Sequence, residues 1–296
     1  MLPRLTRHLL TGAELTPDDL HALLDRAQAL KADPLASDAL RGRSIALIFA
    51  KPSTRTRLSF EAGIHELGGN PIVLRADELQ LSRGEPLRDT ARVLGRHVAA
   101  VGVRTHDDAE LEQLAAEDAV PVFNMLTAGH HPCQALADLL TLREAFGDLA
   151  GVRLAYVGDG NNVARSLVVL GGLAGVEVVV SSPDGYELDG IATVRDPHEA
   201  VAGAHAVYTD VWVSMGDEDS DARRTALAGY RVDDALLDAA APGAIALHDR
   251  PAHVGEEITA EGLYGARQRI WDQAENRRHA QKAMLEWLVS PLAGAH

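Results

Sequence analysis

Ser44-Ile45-Ala46-Leu47-Ile48-Phe49-Ala50-Lys51-Pro52-Ser53-Thr54-Arg55-Thr56-Arg57 is the stretch that decides the fold. Its opening apolar run reads as a buried strand. Beyond Ser53, Phe60, Ile64 and Leu67 share one face of a helix that Gly68-Gly69 stops. A strand feeding directly into a helix is the unit of parallel α/β structure. The junction is chemically pointed as well. Backbone N–H groups at a helix N-terminus, the hydroxyls of Ser53, Thr54 and Thr56, the guanidiniums of Arg55 and Arg57, and Lys51 together make a site for a dianion. A capped helix start with a solvated face is the plainer reading of the same residues.

His131-Pro132-Cys133-Gln134 follows the apolar strand Val120 to Phe123 and precedes a helix carrying Leu136, Leu139, Leu140 and Leu142. It sets an imidazole and an amide at one strand-to-helix junction. With Ser53-Thr54-Arg55-Thr56-Arg57-Leu58-Ser59-Phe60-Glu61, this resembles the aspartate and ornithine carbamoyltransferase family in order and spacing. Asp210-Val211-Trp212-Val213-Ser214-Met215-Gly216 is similar to that family's ornithine-side signature. Asp272-Gln273-Ala274-Glu275-Asn276-Arg277 is similar to its C-terminal arginine motif. The resemblance runs from about residue 5 to residue 289. One motif departs from it: where ornithine carbamoyltransferases carry His-Cys-Leu-Pro, this chain reads His248-Asp249-Arg250-Pro251 after the strand Ala244 to Leu247.

With 296 residues and 46% hydrophobic content, the chain has room for two domains, each with its own core. A single cysteine forbids an internal disulfide and a cysteine-based zinc site. A net charge of -15 argues against a nucleic-acid surface, which needs clustered cations. No N-terminal apolar run resembles a signal peptide or a membrane span, so a cytoplasmic protein with no membrane or nucleic-acid partner is expected.

Apolar runs near 44 to 50, 71 to 74, 99 to 103 and 120 to 123 alternate with amphipathic helical segments. A second series repeats the pattern at Leu154 to Gly158, Val176 to Val180, Ala206 to Asp210 and Ala244 to Leu247. The expected architecture is α/β, two similar parallel-sheet domains joined by interdomain helices. Residues 1–145 form the first domain, with a C-terminal helix at 275–290 packing back on it by resemblance, and residues 146–274 form the second. Between Pro183 and Ala200 the second domain looks trimmed. Asp217 to Arg224, rich in acidic residues, reads as a mobile lid or as a solvated loop.

By resemblance, Ser53, Thr54, Arg55 and Thr56 bind the phosphate of carbamoyl phosphate, joined by Arg104 at the end of the Ala99 to Val103 strand. His131, Gln134 and Arg277 contact the carbonyl and amide, where donors aimed at the oxygen stabilise the developing oxyanion. Gln80, in a polar loop, reaches a neighbouring subunit's donor, which implies a homotrimer with shared sites. Asn162 holds the α-carboxylate and α-amine of an amino-acid acceptor, and Asp210 with Ser214 and Met215 holds its amino end. Gly158-Asp159-Gly160-Asn161-Asn162 also raises a dinucleotide site, but Val163 stands where the third glycine belongs and no acidic residue closes the Val176 to Val180 strand.

The resemblance thus implies an enzyme of arginine biosynthesis that carbamoylates ornithine or a related amino acid, giving citrulline or a ureido analogue. No cofactor and no metal are expected, because arginines supply the positive charge. Asp249 replaces the usual thiol as acceptor of a hydrogen bond or proton from the reacting amine, and Arg250 lines the same place. Alternatively the two pair with each other or with another acceptor's charged group. A different amine acceptor in specialised metabolism, and a noncatalytic carbamoyl phosphate-binding paralogue, are the rival readings; turnover against an amine panel separates them.

Overall fold

The computed structural model of the chain describes residues 6–80, 84–213 and 220–290. The chain divides into two compact units, Met1–Ala137 with Glu275–His296 and Asp138–Ala274.

The first unit is a four-stranded sheet of β1 (Ser44–Phe49), β2 (Asn70–Arg75), β3 (Ala100–Arg104) and β4 (Val122–Leu126), in the order β2-β1-β3-β4. All pairings are parallel. Its helices are α1 (Pro17–Ala32), α2 (Thr54–Glu66), α3 (Leu87–Leu94), α4 (Asp108–Ala116) and the start of α5 (Pro132–Phe146). β1 is buried along nearly its whole length, so its side chains are apolar without alternation. Phe60 from α2 meets Phe123 from β4 with ring centroids 5.2 Å apart. A Cβ on Gly102 of β3 would fall 2.4 Å from the Phe123 ring, so the pair leaves no room for a side chain there.

The second unit is a five-stranded parallel sheet of β5 (Arg153–Val157), β6 (Glu177–Ser181), β7 (Thr193–Val194), β8 (Ala206–Asp210) and β9 (Ile245–Asp249), in the order β7-β6-β5-β8-β9. Its helices are α6 (Asn162–Leu173), α7 (Pro197–Val201), α8 (Ser220–Leu227), α9 (Asp234–Ala239) and α10 (Ala260–Tyr264). The stretch after Pro183 holds only the two-residue β7 and the five-residue α7. Of the acidic segment expected to be a lid or loop, residues 220–224 are helical, as the start of α8; the rest lies outside the described residues.

α11 (Ile270–Val289) starts earlier than the sequence suggested. Within the first unit its side chains make a dense polar seam. Lys282, fully buried, donates to Glu66 Oε2 at 2.5 Å and to the Pro34 carbonyl at 3.0 Å. Arg26 grips Glu286 bidentately at 2.6 and 2.9 Å, and Lys31 donates to Asn276 Oδ1 at 2.7 Å. Among the described residues no helix is long and apolar enough to cross a membrane.

Candidate active site

In the first unit the polar side chains gather where β1, β3 and β4 end. Ser53 is the N-cap of α2, yet its side chain makes no capping hydrogen bond. The first-turn N–H groups are therefore not turned inward on their own cap. Thr56, one turn in, is buried and is the meeting point of the cluster. Its Oγ1 accepts from Arg277 Nη2 of α11 at 2.8 Å and from Arg104 Nη1 at the end of β3 at 3.4 Å. Arg55 is half-buried beside it, with Ser53 half-buried and Thr54 exposed. Arg57, counted by sequence as a second guanidinium of the cradle, points elsewhere: it pairs with Glu61 at 2.9 Å on the exposed face of α2.

His131 and Gln134 are both buried at the start of α5. The loop before them is fixed by Asp108, which accepts from Thr127 Oγ1 at 2.5 Å and from the Gly129 N–H at 2.9 Å. Burial, and then the charges of Arg277 and Arg104, hold the His131 imidazole well below its usual range, so the ring is neutral at pH 7. Cys133, between them, is also buried, and burial pushes its thiol up to about 12. Gln80 is exposed.

In the second unit, Asp210 ends β8 and Asp249 ends β9 at paired register positions. Sequence stopped that last strand at Leu247; the ladder runs two residues further, which brings the two carboxylates side by side. Asp210 is buried, and burial together with the Asp249 charge holds its carboxyl well above the usual range. Asn161 donates from Nδ2 to Asp210 Oδ2 at 2.8 Å while its Oδ1 caps α6, accepting from the Val163 and Ala164 N–H groups. The predicted Asn162 is the next residue, half-buried as the first of α6. Arg250 lies over the Trp271 ring, 4.3 Å from its centroid. Ser214 and Met215 lie outside the described residues.

Three positioning residues were missed from sequence. Asn161 is one; its place before a helix was a readable capping signal. Gln273 is the second: its Oε1 accepts from the His248 N–H at 3.0 Å, and its Nε2 donates to Asp138 at 2.6 Å and Tyr208 at 3.1 Å. It fixes the end of β9 from within a motif singled out only for Arg277. The third, Arg223, bonds Asp159 and donates to the Trp212 carbonyl at 2.9 Å, tying two loops at the strand ends; partners so distant in sequence leave no local signal. The glycine-rich loop is closed by its own chain. A Cβ on Gly160 would sit 2.5 Å from the Leu188 backbone nitrogen, and the Gly160 N–H donates to the Tyr186 carbonyl.

Fold and site define an α/β class with two parallel sheets, polar side chains collected at the C-terminal strand ends of each, and a basic helix start in the first. Residues 7–144 match the family "Aspartate/ornithine carbamoyltransferase, carbamoyl-P binding domain", and residues 150–288 match "Aspartate/ornithine carbamoyltransferase, Asp/Orn binding domain". The chain belongs to the aspartate/ornithine carbamoyltransferase family. It is 53% identical over 306 aligned residues to the ornithine carbamoyltransferase of Acidothermus cellulolyticus, covering 97% of this chain and 98% of the relative. It is 50% identical to that of Parafrankia sp., covering 96% of each. The crystal structure of the Thermus thermophilus ornithine carbamoyltransferase superposes with a TM-score of 0.90 at 42% identity, over 98% of this chain and 100% of that one.

Proposed function

We propose that Arg55, Arg104, His131 and Arg277 hold and polarise carbamoyl phosphate, and that Asp210 and Asp249 receive the attacking amine. The chain is an ornithine carbamoyltransferase-type enzyme: it transfers the carbamoyl group of carbamoyl phosphate to L-ornithine, giving citrulline and phosphate. The observation that carries the residue assignment is the Thr56 hydroxyl. Arg277 and Arg104 converge on it, at 2.8 and 3.4 Å, beside the first-turn N–H groups of α2.

Ser53, Thr54, Arg55, Thr56 and Arg104 bind the phosphate, with Gln80 supplied by a neighbouring subunit. Neutral His131, Gln134 and Arg277 orient the carbamoyl group. As the amine nitrogen's lone pair forms the new C–N bond, charge gathers on the carbonyl oxygen, where Arg55, His131 and Arg277 stabilise it. The intermediate collapses by breaking the C–O bond to phosphate, which leaves with the electron pair and takes the second proton from the attacking nitrogen. An alkylamine with a pKa near ~10.4 arrives protonated and must lose a proton before attack. Asp249 takes it, with Asp210 alongside; Asn162, Ser214, Met215 and Arg250 hold the rest of the amino acid.

Arg55→Ala is expected to abolish calorimetric binding of carbamoyl phosphate and of inorganic phosphate, and unchanged affinity refutes the assignment. Citrulline formation in a panel of amines tests the acceptor, with ornithine expected to lead. A homotrimer follows from the shared Gln80; light scattering giving a fully active monomer excludes it.

A further inference from the structure

We infer that the loop following β9 carries a binding site for one divalent ion of the zinc class, formed by His253, Glu256 and Glu257. The three offer one ligand atom each, an imidazole nitrogen and two carboxylate oxygens, all within 4.8 Å of one another.

Glu257 is the core of the site. Its side chain is wholly buried, and one oxygen is well used: Oε1 accepts from the His253 N–H at 2.5 Å and faces His248 Nε2 at 3.0 Å. The other oxygen, Oε2, is buried with no hydrogen-bond partner among the described residues and lies 3.9 Å from His253 Nδ1. Glu256 repeats the pattern. Its Oε1 pairs with Arg224 at 3.2 Å, while Oε2 is buried without a hydrogen-bond partner among the described residues.

Two neighbouring carboxylates that each keep a buried oxygen without a hydrogen bond are costly unless something positive joins them. A lone proton satisfies one of them; a cation satisfies both. The mixed nitrogen and oxygen donor set selects a zinc-like ion over calcium or magnesium, which favour all-oxygen shells. Three protein ligands leave a fourth position for water. Bonds of about 2.0 to 2.1 Å put tetrahedral ligand atoms about 3.3 Å apart, so the site must contract on binding. His253, with a side chain 49% exposed, is the ligand able to swing in, and it opens the site to solvent.

The site has an outer shell as well. His248 holds the far oxygen of Glu257, as carboxylate ligands in metal sites are commonly held, and it directly precedes Asp249. An ion on Glu257 therefore stiffens the end of β9. This role is separate from that of the residues assigned to carbamoyl transfer.

The test titrates the full-length chain, stripped by a chelator and dialysed, with Zn²⁺ in competition with a chromophoric chelator, and repeats the titration with Co²⁺ followed by its visible absorption. One ion per chain is expected. His253→Asn and Glu256→Gln should each weaken binding at least tenfold with unchanged urea midpoints of the metal-free protein, while His21→Asn, on the exposed face of α1, should bind as wild type. Absence of stoichiometric uptake, wild-type affinity in both loop variants, or loss of uptake in His21→Asn overturns the proposal.

Discussion

Replacing Thr56 by valine keeps the shape of a buried side chain and removes one oxygen. That oxygen accepts two arginine donors, at 2.8 and 3.4 Å. Only the first lies within the usual N–H···O range of about 2.7 to 3.2 Å. Counting Arg277 alone, a hydrogen bond to a charged donor contributes about 1.5 to 3 kcal/mol, so Thr56→Val should lower unfolding stability by about 2 kcal/mol. In the proposed site this hydroxyl also binds the phosphate, and its loss should weaken phosphate binding by about 1.4 kcal/mol, or roughly tenfold. Urea unfolding with an unchanged slope reads the first quantity, and calorimetry with inorganic phosphate reads the second. Thr56→Ser keeps the oxygen and should lose less than half as much of either. A wild-type midpoint for Thr56→Val, or an equal fall for Thr56→Ser, would show that the arginines do not depend on this oxygen.

Three further outcomes follow from the same structure. Asp249→Asn should reduce kcat by about 10² to 10⁴ with little change in phosphate affinity if Asp249 takes the amine's proton; a wild-type rate and pH profile make it a bystander. The native Asp210 carboxyl is held high, so its contribution to stability is present at low pH and lost as pH rises from about 4 toward its raised pKa. Asp249→Asn should therefore gain relative stability above that range and move the acidic limb of kcat/KM to lower pH. His131 has the opposite sign: its imidazole is held low, so the stability from the neutral ring is complete above about pH 6.5 and lost as pH falls below it. His131→Asn should flatten that decline in urea midpoint, and an unchanged slope would refute it. Gly102→Ala should cost about 1 to 3 kcal/mol, because the Phe123 ring is locked against Phe60 and cannot yield; a wild-type midpoint would show that it can.

Much of the fold could be read from sequence because β1, β3 and β5 are mainly apolar runs and each is followed by a helical period. The errors fell where polarity masked a strand. β4 extends through buried Asn124, and β9 through His248 and Asp249, positions that look like loop until their neighbours are known. That same extension, unseen in the linear pattern, is what pairs Asp249 with Asp210. Arg57 misled for a simpler reason. Residues two apart on a helix point about 200° apart, so Arg55 and Arg57 could not serve one site, and Glu61 four residues on was the readable clue. Gln273 and Arg223 act on residues far along the chain, and only the folded sheet brings those together.

The chain's only sulfhydryl is shut inside the first unit. Cys133 donates to the Asn124 carbonyl, abuts Met284, and holds its proton to about 12. Thiolate is the form that peroxide, mercurials and alkylating agents attack, and at physiological pH this residue supplies almost none. With an aspartate where the resembling enzymes place a cysteine, the acceptor end offers no thiol either. Thiol chemistry should therefore not touch the enzyme: iodoacetamide should leave turnover intact over hours, and no thiol reductant should be needed to handle it.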